Sequence, residues 1–240
     1  MKPSTTVKVL DKGFVRLVEF MGGDEAVVSA ARVCTGTGSK GEEKDRKLIE
    51  YLLTHQHLTP FEHSVFKFHV SCPIFVMRQW IRHRSSSFNE ISARYAEVRD
   101  EFYVPERWRV QDARNKQSSS HSQAVDDRKC GQILEEAYHR SFTAYRKLIE
   151  LGAAREMARF VMPVGCYTQF YWTINARNLL HFIGLRADSH AQWEIQRYTE
   201  ALARFFSQRM PWTWDAYLKK GWTGSNPELD AAKSELVRAA

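Results

Sequence analysis

The sequence predicts an α/β protein of the α+β kind, in which an antiparallel-rich sheet is flanked by helices within a single domain. Three observations support this fold class. Short stretches alternate apolar and polar residues with a period of two, which is typical of half-buried strands. Longer stretches repeat apolar residues every three or four positions, which is typical of amphipathic helices. The chain has 240 residues, of which 43% are hydrophobic and 12% aromatic, so one domain can bury a sizeable core.

The N-terminal part is predicted to form a hairpin followed by two helices. The stretch "TVKVLDKGFVRLVEF" alternates around the turn signal "DKG" and predicts a β-hairpin. Helical spacing begins at "GDEAVVSAARVC" and continues in "EEKDRKLIEYLLTHQ", where leucines and an isoleucine form one apolar stripe. Pro60 prevents the second helix from continuing further.

Two more strands are predicted from period-two patterns. The stretch "SVFKFHV" places Phe66, Phe68 and Val70 on one face. The stretch "CYTQFYWTI" is rich in aromatic and β-branched residues, as strands are.

The remaining helices are predicted from helical spacing. The stretch "PIFVMRQWIR" predicts a helix that begins with a proline in its first turn and carries Ile74, Met77 and Ile81 on one side. A long helix is predicted after residue 129, and two more cover "NARNLLHFIGL" and "AQWEIQRYTEALARFFSQR".

The predicted domain covers residues 1–240, and two segments of it are expected to pack poorly. Residues 111–129 contain almost nothing to bury, which predicts a mobile surface insert. Residues 221–240 are mostly polar, which predicts a loose C-terminal tail.

Composition limits the class of protein. Charged residues interrupt the first twenty positions, and no run of eighteen apolar residues occurs, so we expect neither a signal peptide nor a membrane span. The four cysteines are far apart and predict reduced thiols in a cytoplasmic protein. The formal net charge is +7 and the pI is about 9.3, which suits anionic partners. Because the charges are dispersed along the chain, they favour binding pockets over a nucleic-acid-binding arm.

The strongest functional signal is "RHRSSSFNEISARY" at residues 82–95. Its three arginines, Arg82, Arg84 and Arg94, would repel one another unless an anion lay among them, and guanidinium groups match phosphate oxygens in pairs. Asn89 and Glu90 add hydrogen-bond acceptors inside the cluster. We predict a structured loop that starts at a helix C-terminus and binds an anion. A solvated basic loop is the alternative.

Other catalytic devices have weaker support. There is no glycine-rich phosphate-binding motif of the Rossmann or P-loop type. The stretch "HQHLTPFEH" has the residue types of a zinc site, but His55 and His57 point to opposite sides of a helix, so we predict no metal. Ser92 and Cys166 are candidate nucleophiles, yet no histidine stands in a triad-like relation to either.

The motif resembles the signature RHRxxSxNExSxRY of the flavin-dependent thymidylate synthases (ThyX family). It matches at every specified position, namely Arg82, His83, Arg84, Ser87, Asn89, Glu90, Ser92, Arg94 and Tyr95. The surroundings are also similar to that family, in the stretches "TPFEH", "PIFVMRQW", "NAR" and "LRADSHAQWEI". The likeness extends from about Val7 to Lys219.

The resemblance implies an activity. Members convert dUMP to dTMP in de novo dTMP biosynthesis, taking a methylene group from 5,10-methylenetetrahydrofolate and a hydride from FAD that NADPH has reduced. The resemblance also implies a homotetramer of α/β subunits with active sites where subunits meet. The expected partners are small molecules, and neither a nucleic acid nor a membrane is expected.

The resemblance also implies roles for individual residues. The expected dUMP contacts are Gln79, Arg82, Glu90, Ile91, Ser92, Ala93, Arg94, Arg159 and Arg186. Arg186 is the expected catalytic residue, because it matches the arginine that activates the pyrimidine by ionising N3. The expected FAD contacts are Thr59, Glu62, Arg82, His83, Arg84, Asn175, Arg177 and His181. His57 is expected near the approach of folate or NADPH.

Two other functions remain open at this stage. A nucleic-acid-binding module would explain the basic pI, and it would be colourless with strongly salt-dependent affinity. A flavoprotein acting on another pyrimidine nucleotide is the second alternative, and product analysis with dUMP distinguishes it.

Overall fold

The computed structural model describes residues 5–112, 119–120 and 123–238. The strands of this part are β1 (Thr6–Val9), β2 (Gly13–Met21), β3 (Val65–Pro73), β4 (Ser87–Glu90), β5 (Val110–Gln111), β6 (Ser119–Ser120) and β7 (Tyr167–Asn175). Five of them form an antiparallel sheet in the order β1–β2–β3–β7–β4. Strands β5 and β6 pair separately.

Helices surround this sheet. They are α1 (Asp24–Arg32), α2 (Glu42–Thr54), α3 (Ile74–Trp80), α4 (Asp127–Glu150), α5 (Arg155–Ala158), α6 (Ala176–Arg186), α7 (Trp193–Arg209), α8 (Pro211–Ala216) and α9 (Pro227–Arg238). Short 3₁₀ segments occupy Val33–Thr35, Thr59–His63 and Arg159–Val161, and a π-helical turn occupies Tyr217–Gly221. In the part of the chain that the structure describes, no helix combines the length and the apolar character that crossing a bilayer requires. The predicted fold class is confirmed.

The two central strands form the core as their period-two pattern predicted. In the β3–β7 register, Phe68 lies opposite Trp172 and Val70 lies opposite Phe170. These four side chains, like Phe66, are at most 1% exposed. Because alternate residues of a strand point to opposite faces, a single face of each strand supplies the apolar core.

Helix α3 is anchored to the core by three side chains, of which the predicted apolar set included only Met77. Its buried side chains are Val76, Met77 and Trp80, whereas Ile81 is 44% exposed. The helix is only seven residues long, and the large indole of Trp80 decides which side faces the core. Ile81, which was predicted to share one side of the helix with Ile74 and Met77, lies just after the last residue of α3.

Part of the motif is a strand, where a loop was predicted. Residues of β4 pair with β7 at the edge of the sheet, with Phe88 opposite Trp172 and Glu90 opposite Phe170. The Phe88 ring lies 5.9 Å from that of Phe170 and 6.1 Å from that of Trp172. Edge strands are often short and carry polar or charged side chains, so the sequence pattern of β4 lacks the apolar alternation of a core strand.

The predicted insert is smaller than residues 111–129. Strand β5 pairs with β6, and helix α4 begins at Asp127, where the Asp126 carboxylate accepts a hydrogen bond from the Lys129 amide. Residues 113–118 and 121–122 lie outside the described residues, so their predicted mobility stays a prediction.

The C-terminal tail is packed where a loose tail was predicted. Residues 227–238 form α9, and Trp222, Asn226 and Leu229 are at most 3% exposed. The Asn226 side chain donates to the Ala187 carbonyl at 2.9 Å and to Glu200 Oε1 at 3.0 Å. The sequence pattern missed this packing because the apolar side chains that make it are few and separated by polar residues.

We predict that Leu229→Ala destabilises the protein, because it removes a buried side chain and leaves a cavity under α9. The expected loss in the free energy of unfolding is about 2–5 kcal/mol, measured by urea titration. Val237→Ala on the same helix is the control, since Val237 is 64% exposed, and we expect a change below about 0.5 kcal/mol. Equal effects of the two substitutions would contradict the packing of the tail.

Candidate functional site

The motif at residues 82–95 is held at both ends by backbone hydrogen bonds. Directly after α3, the amide of His83 donates to the Trp80 carbonyl at 3.0 Å. After β4, the amide of Ile91 donates to the Gln169 carbonyl at 2.9 Å. The carbonyl of Ser92 then accepts from two amides of the following turn at 3.0 and 3.1 Å. The backbone of the motif is therefore tied to the end of α3, to β7 and to its own following turn.

Arg186, the last residue of α6, is joined to this motif by its guanidinium group. Its Nε donates to His83 Nε2 at 3.0 Å, and its Nη2 donates to the Gln79 carbonyl at 3.3 Å. Partial burial lowers the pKa of the guanidinium from its ordinary value. The two hydrogen bonds fix the plane of the group and leave further N–H groups for a ligand.

His83 is suited to accept this hydrogen bond because it is neutral. Burial lowers the pKa of His83 to about 4, and the charges of Arg186 and His181 contribute to the same shift. At neutral pH the unprotonated Nε2 is therefore available as an acceptor, and the proton resides on Nδ1.

A first cavity of about 320 Å³ lies beside Arg186. We call it the Arg186 cavity, and its lining consists of Arg82, His83, Arg84, Ser85, Ile174, Asn178, His181, Leu185 and Arg186. In the described ranges, the side chains of Arg82 and Arg84 make no hydrogen bond or ion pair. Unpaired guanidinium groups at a concave surface provide a binding site for an anion.

Sequence reasoning missed two residues of this region. Asn178 Nδ2 donates to the Ser85 carbonyl at 3.3 Å and ties α6 to the motif. Gln192, before α7, accepts a hydrogen bond from the Gln79 side chain. Neither contact has a local sequence signal, because each joins residues far apart in the chain.

The predicted flavin residues outside the motif lie near the start of α6. Asn175 caps this helix, since its Oδ1 accepts from the Asn178 amide at 2.9 Å. Arg177 donates to Glu62, which belongs with Thr59 to the 3₁₀ segment Thr59–His63. The structure thus brings Glu62 and Arg177 together, and it places His181 on the same helix, lining the Arg186 cavity.

A second cavity of about 230 Å³ lies at the C-terminal end of β4, where Glu90 and Ile91 contribute to its lining. We call it the Arg159 cavity, and its predicted site residues are Glu90, Ile91, Ala93 and Arg159. Thr168 Oγ1 donates to Glu90 Oε1 at 2.6 Å and fixes that carboxylate.

Glu156 holds two arginines next to the Arg159 cavity, and sequence reasoning did not identify it. Its Oε2 accepts from Arg94 Nε at 3.2 Å, and its carbonyl accepts from Arg159 Nε at 3.3 Å. Ser92 Oγ accepts from the Arg94 amide at 3.2 Å, which is a turn contact and gives no sign of a nucleophile.

Within one chain, the predicted dUMP contacts are therefore divided between the Arg186 cavity and the Arg159 cavity. Arg82 and Arg186 line the Arg186 cavity, with Gln79 hydrogen-bonded to Arg186, whereas Glu90 and Arg159 line the Arg159 cavity. The two cavities share no lining residue. A single subunit does not bring the predicted set into one pocket.

Exposed apolar side chains lie close to the Arg159 cavity. Ile91, Tyr95, Met157, Phe160 and Val164 are between 50% and 79% exposed. Exposed apolar groups of this size, clustered around a cavity, are typical of a surface that another protein subunit covers.

His57 stays apart from both cavities. It follows α2, and its ring lies 6.0 Å from that of Tyr51 and 6.3 Å from that of His55. Across the described residues, no three histidine, cysteine or acidic side chains are close enough to hold a metal ion together. The role predicted for His57 is not tested by these contacts.

Comparison with known proteins points to one family. The family model described as "Thymidylate synthase complementing protein" matches residues 16–212. A flavin-dependent thymidylate synthase from Thermosipho africanus is 53% identical over 221 residues, covering 90% of this chain and 96% of that protein. Another from Thermus thermophilus is 48% identical over 240 residues, covering 99% of this chain and 88% of that protein.

A solved structure is similar over most of its length. It is the crystal structure of a UMP/dUMP methylase, PolB from Streptomyces cacaoi, bound with 5-Br dUMP. Its TM-score is 0.82 at 36% identity, and the match covers 91% of this chain and 100% of that one.

We predict that the His83 imidazole stays neutral as the pH falls from 6.5 to about 4. In that window the unfolded chain binds a proton at His83 and the folded chain does not, so this residue makes stability fall as the pH falls. NMR titration of the ring nitrogens, with His83→Gln to assign the signal, measures the pKa. A pKa at or above 6.5 would contradict the hydrogen bond from Arg186.

Proposed function

The chain belongs to the flavin-dependent thymidylate synthases, and from this premise we propose the following reaction. The protein methylates dUMP to dTMP in the cytoplasm, with 5,10-methylenetetrahydrofolate as the carbon donor and NADPH as the reductant of bound FAD. One observation carries the proposal. The complete family signature folds beside Arg186, whose guanidinium is hydrogen-bonded to His83 and to the Gln79 carbonyl.

Arg186 is the proposed catalytic residue. Uracil becomes a better nucleophile when negative charge develops on its ring, and a fixed guanidinium stabilises such charge without losing a proton. Neutral His83 holds that guanidinium in place and adds no competing positive charge. Gln79 supports the same orientation through its carbonyl.

The residues of the Arg186 cavity fit a flavin dinucleotide. When bound, FAD supplies the hydride that completes the methyl group. The unpaired guanidinium groups of Arg82 and Arg84 match a diphosphate. His181 carries ring nitrogens that can hydrogen-bond a flavin edge from the same cavity. Thr59, Glu62, Asn175 and Arg177 are proposed to extend this contact along the start of α6.

We propose that dUMP is held between subunits of a homotetramer. The Arg186 cavity of one subunit would face the Arg159 cavity of another. Gln79, Arg82 and Arg186 of the first subunit would then lie next to the residues that line the Arg159 cavity of the second. Two observations support this arrangement: the separation of the two cavities within one chain, and the exposed apolar side chains around Arg159. Ser92 and Arg94 lie in the turn that follows β4, and they are included among the proposed dUMP contacts.

The two alternative functions have less support. A nucleic-acid-binding module does not require the arginines of the motif to line a cavity with a neutral histidine and a partly buried guanidinium. Methylation of another pyrimidine nucleotide is favoured by one finding, the name of the Streptomyces protein, which includes UMP. UMP is therefore the comparison substrate in the assay below.

The proposal predicts a yellow purified protein that forms dTMP from dUMP, methylenetetrahydrofolate and NADPH, measured by chromatography of the nucleotides. Arg186→Ala should lower the rate by a factor on the order of 10² to 10³, because it removes a group that stabilises developing charge. Arg204→Ala is the control, since Arg204 is exposed and its guanidinium forms an ion pair with the surface residue Glu228.

Three outcomes would contradict the proposal in different ways. A colourless protein that binds oligonucleotides would favour the nucleic-acid alternative. Methylation of UMP without methylation of dUMP would show that UMP, and not dUMP, is the substrate. Near-normal dTMP formation by Arg186→Ala, with dUMP and FAD still bound, would remove Arg186 from the catalytic role.

The shared site predicts complementation between two inactive variants. Arg186→Ala and Arg159→Ala each damage a different half of the site. Where a subunit of one variant meets a subunit of the other, one of the two shared sites keeps both arginines and the other site lacks both. Random mixing at equal amounts, by unfolding and refolding together, should restore about a quarter of the wild-type activity. Mixtures no more active than the separate variants would show that both arginines act within one subunit.

A further inference from the structure

The loop between α6 and α7, residues 187–192, connects two residues of the candidate site. Arg186 directly precedes this loop, and Gln192 at its end accepts a hydrogen bond from the Gln79 side chain. Arg186 also donates to the Gln79 carbonyl at 3.3 Å. Both ends of the loop therefore meet the same residue of α3, and a displacement of the loop would shift the backbone from which the Arg186 side chain extends.

The C-terminal tail forms hydrogen bonds with three consecutive residues of this loop. Asn226 Nδ2 donates to the Ala187 carbonyl at 2.9 Å. The Ser225 amide donates to Asp188 Oδ2 at 2.9 Å, and the Ser225 carbonyl accepts from the Ser189 amide at 2.8 Å. The tail thus holds the three residues that directly follow α6.

The amide group of Asn226 is suited to hold the end of α6. Carbonyl groups at a helix C-terminus lack partners within the helix, and Ala187 is fully buried, so its carbonyl needs another donor. Asn226 supplies that donor, and its Nδ2 also donates to Glu200 Oε1 at 3.0 Å. Its Oδ1 accepts from the Leu229 amide at 3.3 Å. One fully buried amide group therefore joins the end of α6 to α7 and to the start of α9.

We propose that Asn226 is a positioning residue for Arg186. Asn226 fixes the backbone at the end of α6, whereas His83 and the Gln79 carbonyl fix the guanidinium group at the other end of the arginine side chain. Restraint at both ends matters because a misplacement of about 1 Å can lower a rate about 100-fold. This inference rests on the proposed function, which gives Arg186 its catalytic role. Asn226 lies outside the motif and outside residues 16–212, which the family model matches.

Asn226→Ser tests this role, because serine can still cap α9 but is too short to donate to the Ala187 carbonyl. We expect the kcat for dTMP formation to fall about tenfold. The same substitution is made in Arg186→Ala, where we expect a change below about twofold in the single-turnover rate, because the group to be positioned is absent. A general loss of folded protein would instead lower the rate by the same factor in both backgrounds, and that result would overturn the inference.

The pKa of His83 gives a second readout that does not depend on catalysis. Burial lowers this pKa to about 4, and the nearby charge of Arg186 contributes to the shift. A displaced guanidinium group contributes less, so NMR titration should show a higher pKa of His83 in Asn226→Ser than in the wild-type protein. An equal pKa in the two proteins would overturn the inference.

Asp230→Ala is the matched control, since it removes hydrogen bonds within the tail. The Asp230 carboxylate accepts from Trp222 Nε1 at 2.8 Å and from the Asn226 amide at 3.0 Å. We expect its kcat to stay within about twofold of the wild-type value. A loss equal to that of Asn226→Ser would show that general loosening of the tail is responsible, and the specific role of Asn226 would be overturned.

Asp188→Ala replaces Asn226→Ser if the latter does not fold, because it removes the acceptor of the Ser225 amide from the loop. The same difference between the two backgrounds is expected, and equal effects would overturn the inference.

The proposed function is tested separately by dTMP formation in the wild-type protein and by its loss in Arg186→Ala. Failure of either would overturn the function or the catalytic role of Arg186, and the pKa of His83 would still report whether Asn226 holds the guanidinium group. When both results are as expected, equal effects of Asn226→Ser in the two backgrounds would overturn this inference alone.

Discussion

The burial of Trp80 is the constraint on which the rest of the site depends. Its indole is fully buried, and its ring lies between 5.0 and 5.9 Å from those of Phe170, Trp172, Phe182 and Tyr198. These rings belong to β7, α6 and α7, so one side chain joins the end of α3 to the sheet and to two helices. The indole N–H finds no hydrogen-bond partner among the described residues, and the large apolar contact must offset that cost. The arginine-rich motif begins two residues after Trp80, so this packing sets the direction in which the motif leaves α3.

The second feature is the choice of a neutral partner for Arg186. A carboxylate in the position of His83 would bind the guanidinium more strongly, but it would also cancel the charge that the site needs. The imidazole fixes the orientation of Arg186 while leaving its positive charge uncompensated. The same logic applies to Arg82 and Arg84, whose guanidinium groups face cavities without a carboxylate partner among the described residues. The protein keeps these charges available by placing its acidic side chains elsewhere, such as Glu156 beside Arg94.

Strand β4 explains why the site is divided. It lies at the edge of the sheet, and the polar motif extends beyond both of its ends. Residues before the strand line the Arg186 cavity, and residues at its end and beyond line the Arg159 cavity. A sheet edge offers unpaired backbone groups and exposed side chains, which makes it a natural place for contact with another subunit. The exposed apolar residues around Arg159 are consistent with such a contact.

The sequence by itself determined the hairpin, the two central strands, most helices and the identity of the motif, because each of these depends on local periodicity or on residues close together in the chain. It did not determine that Ser87–Glu90 form a strand, that the tail packs through Leu229, or that the motif residues serve two cavities. Those features depend on contacts between distant parts of the chain, as between His83 and Arg186, which are 103 residues apart. The neutrality of His83 is likewise a property of the folded protein, since burial and a neighbouring charge produce it. Local pattern specified which side chains are available, and only tertiary packing decided which of them meet.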